Sequence, residues 1–401
     1  MKYAVIIAER NEPDILPTIA NIKANSSATV IRKTDTEGKG PQRMRDEGIM
    51  EADGFDVVII MDGHMRVKPG TLDAMAQFAY DHPNTVSCAM CHHTPKEDWT
   101  GKPYMGARFA WKAYGKDANE PQSFTAKWRT DTTVGKIPCV MGACYAFRRD
   151  WYIDGLLRPW RFGTGWGCDE ELISAATWLR GGSVHLLPFA VWHQARLPGK
   201  VPYELTSDQT LGVWANRWRM LTQLPLSMDE LTEATRHIWP SLSTPMWRKV
   251  SKIMEKDDQA ASEYRKVMAE GTMSWAYFKE NIMEKETIQP MTIQEAREMA
   301  KSMGLKVPQK AKIGGILELI SAGTAPKNPR VTEKPAKMEK PTPVARANWG
   351  ANEKNNSGGR CCVHCGGNAT TVNDTKRTSG RLITRYRSCD LCGKNFTTRD
   401  I

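Results

Sequence analysis

The chain has 401 residues, 56 Lys plus Arg against 45 Asp plus Glu, and a formal net charge of +11. An apolar content of 40% supports a packed core and excludes a wholly disordered chain. No run of about 18 apolar residues exists to span a membrane, and the length predicts two or three domains at roughly 100–200 residues each. The opening, Met1-Lys2-Tyr3 through Arg10, is basic and then apolar, but the apolar run is too short for a secretory signal and ends in charge. It reads as a first strand in a cytoplasmic protein. Ten Cys without such a signal point to thiols or metal ligands rather than disulfides.

Residues 3–8 predict a buried strand and residues 13–24 a helix, with Ile15, Ile19 and Ile22 at helical spacing. A strand at 28–32 and a helix at 41–52 follow. Residues 55–61 form a strongly apolar strand that ends in Asp62-Gly63-His64. A helix over 71–80, a strand over 84–91, a helix over 171–179 closed by Gly181-Gly182 and a strand over 183–188 continue the alternation. Such a pattern predicts an α/β fold with a mostly parallel sheet covered on both faces. Cys88-Ala89-Met90-Cys91-His92-His93 resembles a metal cluster, but in a strand Cys88 and Cys91 point to opposite faces, so strand packing is expected.

Residues 205–290 read as helical, rich in Met and Trp, with no β signal. Residues 291–321 read as a separate helix–turn–helix unit. Thr292 and Glu295 make a capping box, Ala296, Met299 and Ala300 an apolar face, and Gly304 a stop. Lys306, Lys310 and Lys312 crowd the turn. Residues 322–358, rich in Pro, Lys and Asn, read as a flexible linker. Residues 359–401 form a Cys-bearing module. The expected division is therefore 1–204, 205–290, 291–321, 322–358 and 359–401.

Charge follows that division. Residues 291–401 hold 20 Lys plus Arg and 9 Asp plus Glu, whereas residues 1–290 hold 36 of each sign. A neutral body with a basic tail suits a polyanion, most often nucleic acid; a solvated basic linker is the alternative.

In open α/β sheets ligands bind beyond the carboxyl ends of strands, and Asp62-Gly63-His64 sits at such an end. A carboxylate and an imidazole two residues apart suit a divalent ion such as Mn²⁺, although Asp-Gly is also a common turn pair. The Gly-rich loop 163–167 runs into Asp169-Glu170-Glu171 at a helix start. The acids complement the helix dipole, and the glycines let backbone approach a ligand closely. His193 places another imidazole beyond a strand end.

Taken together, residues 3–196 resemble GT-A glycosyltransferases of the family 2 and family 27 type, closest in pattern to the polypeptide N-acetylgalactosaminyltransferases. Val5-Ile6-Ile7-Ala8-Glu9-Arg10-Asn11-Glu12 resembles that family's opening strand and Asn-Glu turn. Glu37 through Arg45 resembles its Arg-Glu-Gly…Arg-x-Arg segment, and Asp62-Gly63-His64 its Asp-x-His metal motif. Met141-Gly142-Ala143 with Phe147-Arg148-Arg149 resembles its Ala-Gly-Gly strand and turn. Trp166-Gly167-Cys168-Asp169-Glu170 resembles its Trp-Gly-Gly-Glu-Asn loop, with Cys168 in place of a glycine and an acidic pair nearer to family 2.

The resemblance implies a nucleotide-sugar transferase with a UDP-sugar as donor, in which Asp62, His64 and His193 hold Mn²⁺ or another divalent cation. It places Ala8, Asp35, Arg43, Arg45 and Asp62 on the donor side, with Asp35 recognising the nucleotide. Asp169 and Glu170 form the catalytic acidic pair, with Asp169 as the acceptor-side acid, and Trp166 walls the sugar pocket.

Cys362-x-x-Cys365 and Cys389-x-x-Cys392 are separated by 23 residues. Two such knuckles read as a tetrahedral structural Zn²⁺ site, the staple that a module of this size needs. Cys362–Thr398 also resembles the zinc ribbon of the ribonucleotide-reductase transcriptional repressor. Its Arg381, Arg385 and Arg387 alternate and so share one face of a strand, which suits phosphate contact. The 291–321 unit is similar to small SAP-like helical motifs, which often contact nucleic acid. The combined expectation is transfer of a sugar to a hydroxymethylated pyrimidine in double-stranded DNA, as in the modified DNA of some bacteriophages, with no membrane partner. The alternatives are transfer to protein or polysaccharide, or an inactive transferase-like DNA-binding regulator.

Overall fold

A computed structural model describes residues 1–113, 122–140, 143–196, 207–232, 244–255, 262, 264–266, 268, 270–283, 285–323, 370–378, 382–389 and 395–400. The chain forms two compact units, Met1–Val331 and Thr332–Ile401. Among the described residues no helix is long and apolar enough to cross a membrane.

The strands of the first unit are β1 (Tyr3–Glu9), β2 (Thr29–Thr34), β3 (Val57–Met61), β4 (Met65–Val67), β5 (Thr85–Thr94), β6 (Ala107–Ala113), β7 (Gln122–Trp128), β8 (Gly135–Lys136), β9 (Cys144–Arg148), β10 (Ser183–Gln194) and β11 (Gln289–Pro290). Nine of them make one sheet in the order β11-β8-β10-β5-β9-β3-β1-β2, with β4 paired to β10. The pairs β1–β2, β1–β3 and β5–β10 are parallel, and β9 runs against both β3 and β5. The sheet is thus mixed: five long strands share a direction and β9 is inserted against them. Its reversal follows from where it starts, since the Asp62 N–H donates to the Ala143 carbonyl at 3.1 Å. A strand that begins beside the carboxyl end of β3 must run back through the sheet. β6 and β7 form a separate antiparallel hairpin.

Every residue of β3 is buried, as its continuous apolar run requires of a central strand. The helices α1 (Ile15–Asn25), α2 (Pro41–Glu51), α3 (Thr71–Asp81), α4 (Asp169–Leu179) and α5 (Ser207–Gln223) accompany the sheet. α1 buries Ile15, Thr18 and Ile22, and α3 buries Leu72, Met75, Ala76 and Ala79, one face each at helical spacing.

Two expectations change. β10 does not stop at Pro188; a register shift between Leu186 and Ala190 absorbs the proline and the strand continues to Gln194. His193 therefore lies within the strand. Residues 205–290 are not free of β structure, because Gln289–Pro290 pair with Gly135–Lys136 at the sheet edge. A proline is tolerated there, and two residues are too few to show a period. The Thr292–Glu295 capping box forms at the start of the helix Ile293–Ser302. That helix and the next, Ile313–Gly323, do not stand apart: Ala296, Met299, Ala300, Ile316 and Ile320 enter the same core as the sheet.

In the second unit Thr370–Thr378, Leu382–Cys389 and Asn395–Asp400 form a three-stranded antiparallel sheet in that order. Cys389 ends the middle strand. Cys362, Cys365 and Cys392, the other expected zinc ligands, and Arg381 lie outside the described residues.

Candidate active site

The parallel strands end on one edge of the sheet, and their carboxyl ends deliver Glu9, Asp35, Asp62, His93 and His193 to it. Among the described residues Asp62, His64 and His193 form a group whose donor atoms all lie within 4.8 Å of one another. The Asp62 carboxylate lies 3.4 Å from Nε2 of His193, and the two imidazole centroids are 4.4 Å apart. Each ring is held through its other nitrogen. Nδ1 of His64 meets the Glu12 carboxylate at 3.0 Å, and Nδ1 of His193 meets Nδ1 of His93 at 2.8 Å. Nε2 of both rings is then the atom left for a cation, the arrangement in which a partner fixes the tautomer of a ligating histidine. One carboxylate and two such imidazoles fit a divalent ion of the Mn²⁺ type. Burial alone would raise the Asp62 pKa, but His193, Arg45 and His64 hold it well below the usual carboxylate value, so the ligand is an anion.

Arg45 of α2 lies buried between two carboxylates. It ion-pairs with Asp169 and, at 3.1 Å, with Asp62. The three acids at the start of α4 consequently differ. Asp169 is buried against Arg45. Glu171 accepts the Ala126 N–H of β7 at 3.1 Å. Glu170 lines the cleft above the metal group, and burial, partly offset by Arg45, raises its pKa above the ordinary carboxyl value.

The cleft is also lined by Ala8, Arg10, Asp35, Gly38, Gly40 and Arg45, and by Trp166, which is 54% exposed. Asp35 accepts the backbone N–H groups of Lys39 and Gly40, both at 2.9 Å, and so shapes the turn before α2. Gly40 has φ +91°, and a Cβ there would lie 1.8 Å from the Gly165 carbonyl oxygen. Only glycine lets the 35–40 turn and the 163–167 loop meet. Arg43 is the expected donor residue that the fold does not bring in: it binds the Arg161 carbonyl and lies 3.7 Å from Glu47 on the outer side of α2. Residues two apart on a helix do not share a face, so Arg43 and Arg45 cannot both enter the cleft.

Glu12, His93 and Arg196 belong to the site without having been singled out for it. Glu12 is clamped by Arg196 and oriented by His64, whose proximity outweighs burial and draws the Glu12 pKa down to about 2. His93 is stacked on His193 at 4.9 Å, because parallel pairing of β5 and β10 puts the two in register. A histidine at the end of each strand was the available signal. Cys88 and Cys91 are buried strand residues outside the metal group, as their spacing suggested.

Residues 1–156 match glycosyl transferase family 2. None of the curated proteins matches the chain. Among solved structures it is similar to GalNAc-T7 with UDP, GalNAc and Mn²⁺, at 16% identity and a TM-score of 0.51, over 70% of this chain and 57% of that one. It therefore spans a little over half of that protein's length. A second similar structure is S. aureus TarS 1–349 in complex with UDP-GlcNAc, at 12% identity and a TM-score of 0.38, over 71% of this chain and 93% of that one.

Proposed function

We propose that this chain is a nucleotide-sugar-dependent glycosyltransferase that uses a divalent cation and moves a sugar from a UDP-sugar to the hydroxymethyl group of a pyrimidine base in double-stranded DNA. The observation that carries the transferase reading is the convergence of Asp62, His64 and His193 under one cleft at the strand ends, in a chain whose first 156 residues match a glycosyltransferase family. The basic excess confined to residues 291–401 supports the DNA acceptor.

Asp62, His64 and His193 would hold the cation, which would supply positive charge to neutralise the diphosphate leaving group. Asp35 and the backbone of the 35–40 turn hold the nucleotide, and Trp166 walls the sugar. Glu170 takes the proton of the acceptor hydroxyl as its oxygen bonds to the anomeric carbon and the bond from that carbon to the diphosphate breaks. A carboxylate whose pKa is raised by burial is the better base for this work. Asp169, already paired with Arg45, instead fixes that arginine between the acid pair and Asp62. Cys362, Cys365, Cys389 and Cys392 would hold a structural zinc, which would staple the basic module that meets the DNA backbone.

The test is UDP release in the presence of Mn²⁺, a UDP-sugar and hydroxymethylated DNA, with Asp62→Ala beside the unaltered protein. Release that depends on metal, on DNA and on Asp62 is expected. Release that is indifferent to Asp62 would overturn the assignment.

A further inference from the structure

Two large aromatic rings lie exposed a short distance from the metal group. Tyr104 and Trp128 are each 38% exposed, and their rings stack with centroids 4.1 Å apart and planes 19° from parallel. The pair continues a line of rings that starts at the site: His193 stacks on His93 at 4.9 Å, and His93 meets Tyr104 at 5.7 Å. Hydrogen bonds hold the chain at both rings. Tyr104 exchanges hydrogen bonds with Cys91 of β5, at 2.8 and 3.0 Å. Arg129, next to Trp128 and buried, donates to the carbonyl of Met105, next to Tyr104, at 2.6 Å. Exposed rings held this firmly present a flat apolar face at little entropic cost on binding.

Resting on the DNA-acceptor reading above, we propose that Tyr104 and Trp128 form a stacking platform for a base of the acceptor strand turned out of the duplex beside the metal centre. Residues 1–290 carry equal numbers of each charge, so the body adds no net Coulombic attraction for the strand. Stacking holds it at the site instead, because every base has a π-face. The platform makes the contribution of the body insensitive to salt and tolerant of sequence, while the basic quarter of the chain supplies the salt-dependent part.

The experiment is photocrosslinking of the full chain to a single-stranded oligonucleotide carrying 5-iodouracil, followed by peptide mapping. The expected crosslink is at Trp128 or Tyr104. Trp128→Ala, with its fold checked by circular dichroism, is expected to remove that crosslink. It should also raise the KM for modified DNA by about 5- to 150-fold with little change in kcat, the range set by about 1–3 kcal/mol per stacked base. Crosslinks confined to residues 332–401, or a Trp128→Ala variant with unchanged KM, would overturn the proposal. A fluorescence change produced by an oligosaccharide but not by the oligonucleotide, and lost in Trp128→Ala, would assign the platform to a carbohydrate and overturn it too. The crosslink needs no sugar transfer. A crosslink at Trp128 without transfer would retain the platform and sink the transfer reading, whereas transfer with crosslinks elsewhere would do the reverse.

Discussion

The division of labour within the acidic pair is open to direct test through Glu170→Gln. The substitution keeps the shape and burial of the side chain and removes only its capacity to take a proton. General acid–base catalysis contributes about 10²–10⁴ in rate, or roughly 3–5 kcal/mol of barrier. The kcat for transfer should fall by about that factor, while Mn²⁺ affinity, read by electron paramagnetic resonance, stays as it was. Stability should not fall. A carboxyl whose folded pKa is raised costs the fold stability as pH rises from its unfolded pKa through its folded one, and a neutral amide carries no such cost. Asp169→Asn should behave differently. Removing one partner of a buried ion pair costs about 3–5 kcal/mol, here less because Asp62 still lies 3.1 Å from Arg45. Thermal denaturation and steady-state UDP release on the two variants separate the roles. If Glu170→Gln keeps its kcat while Asp169→Asn loses it at an unchanged melting temperature, the assignment is wrong and Asp169 is the base.

Three further outcomes follow from the same geometry. His93→Phe removes the partner of His193 Nδ1, and Mn²⁺ affinity should weaken about 10–100-fold, with His93→Asn recovering part of it; equal affinity in all three proteins would mean that His93 does not orient the ligand. Gly40→Ala drives a Cβ to 1.8 Å from the Gly165 oxygen at φ +91°, so UDP-sugar binding measured by calorimetry should be lost or greatly weakened, and unaltered binding would remove the turn from the donor site. Deleting 332–401 should flatten the dependence of DNA affinity on salt, since fewer cations displace phosphate counterions; an unchanged slope would place the DNA contact elsewhere.

The candidate metal site is legible because its signals are local. Asp62-Gly63-His64 follows an apolar run that could only be a central strand, and a ligand at a strand's carboxyl end needs no tertiary knowledge. His193 was identified with its strand drawn too short, since Pro188 reads as a stop until the register shift that accommodates it is seen. His93 stayed hidden because its role depends on which strands are neighbours, and β5 lies beside β10, nearly 100 residues away. The separation of Asp169, Glu170 and Glu171 into three roles was likewise out of reach: adjacent acids in a sequence differ only once Arg45 and the Ala126 N–H arrive from elsewhere in the chain. Arg43 shows the converse, a motif residue that helical geometry turns away from the cleft.

Sugar transfer to DNA, proposed above, would leave its mass on the nucleoside. The most direct measurement is to incubate the protein with Mn²⁺, a panel of nucleotide sugars and duplex DNA containing 5-hydroxymethylcytosine or 5-hydroxymethyluracil, then digest the DNA and weigh its nucleosides. The expected product is a modified nucleoside heavier by one sugar residue, absent when Mn²⁺ is withheld. No mass gain on either DNA, with transfer to a peptide or glycan under the same conditions, would contradict it.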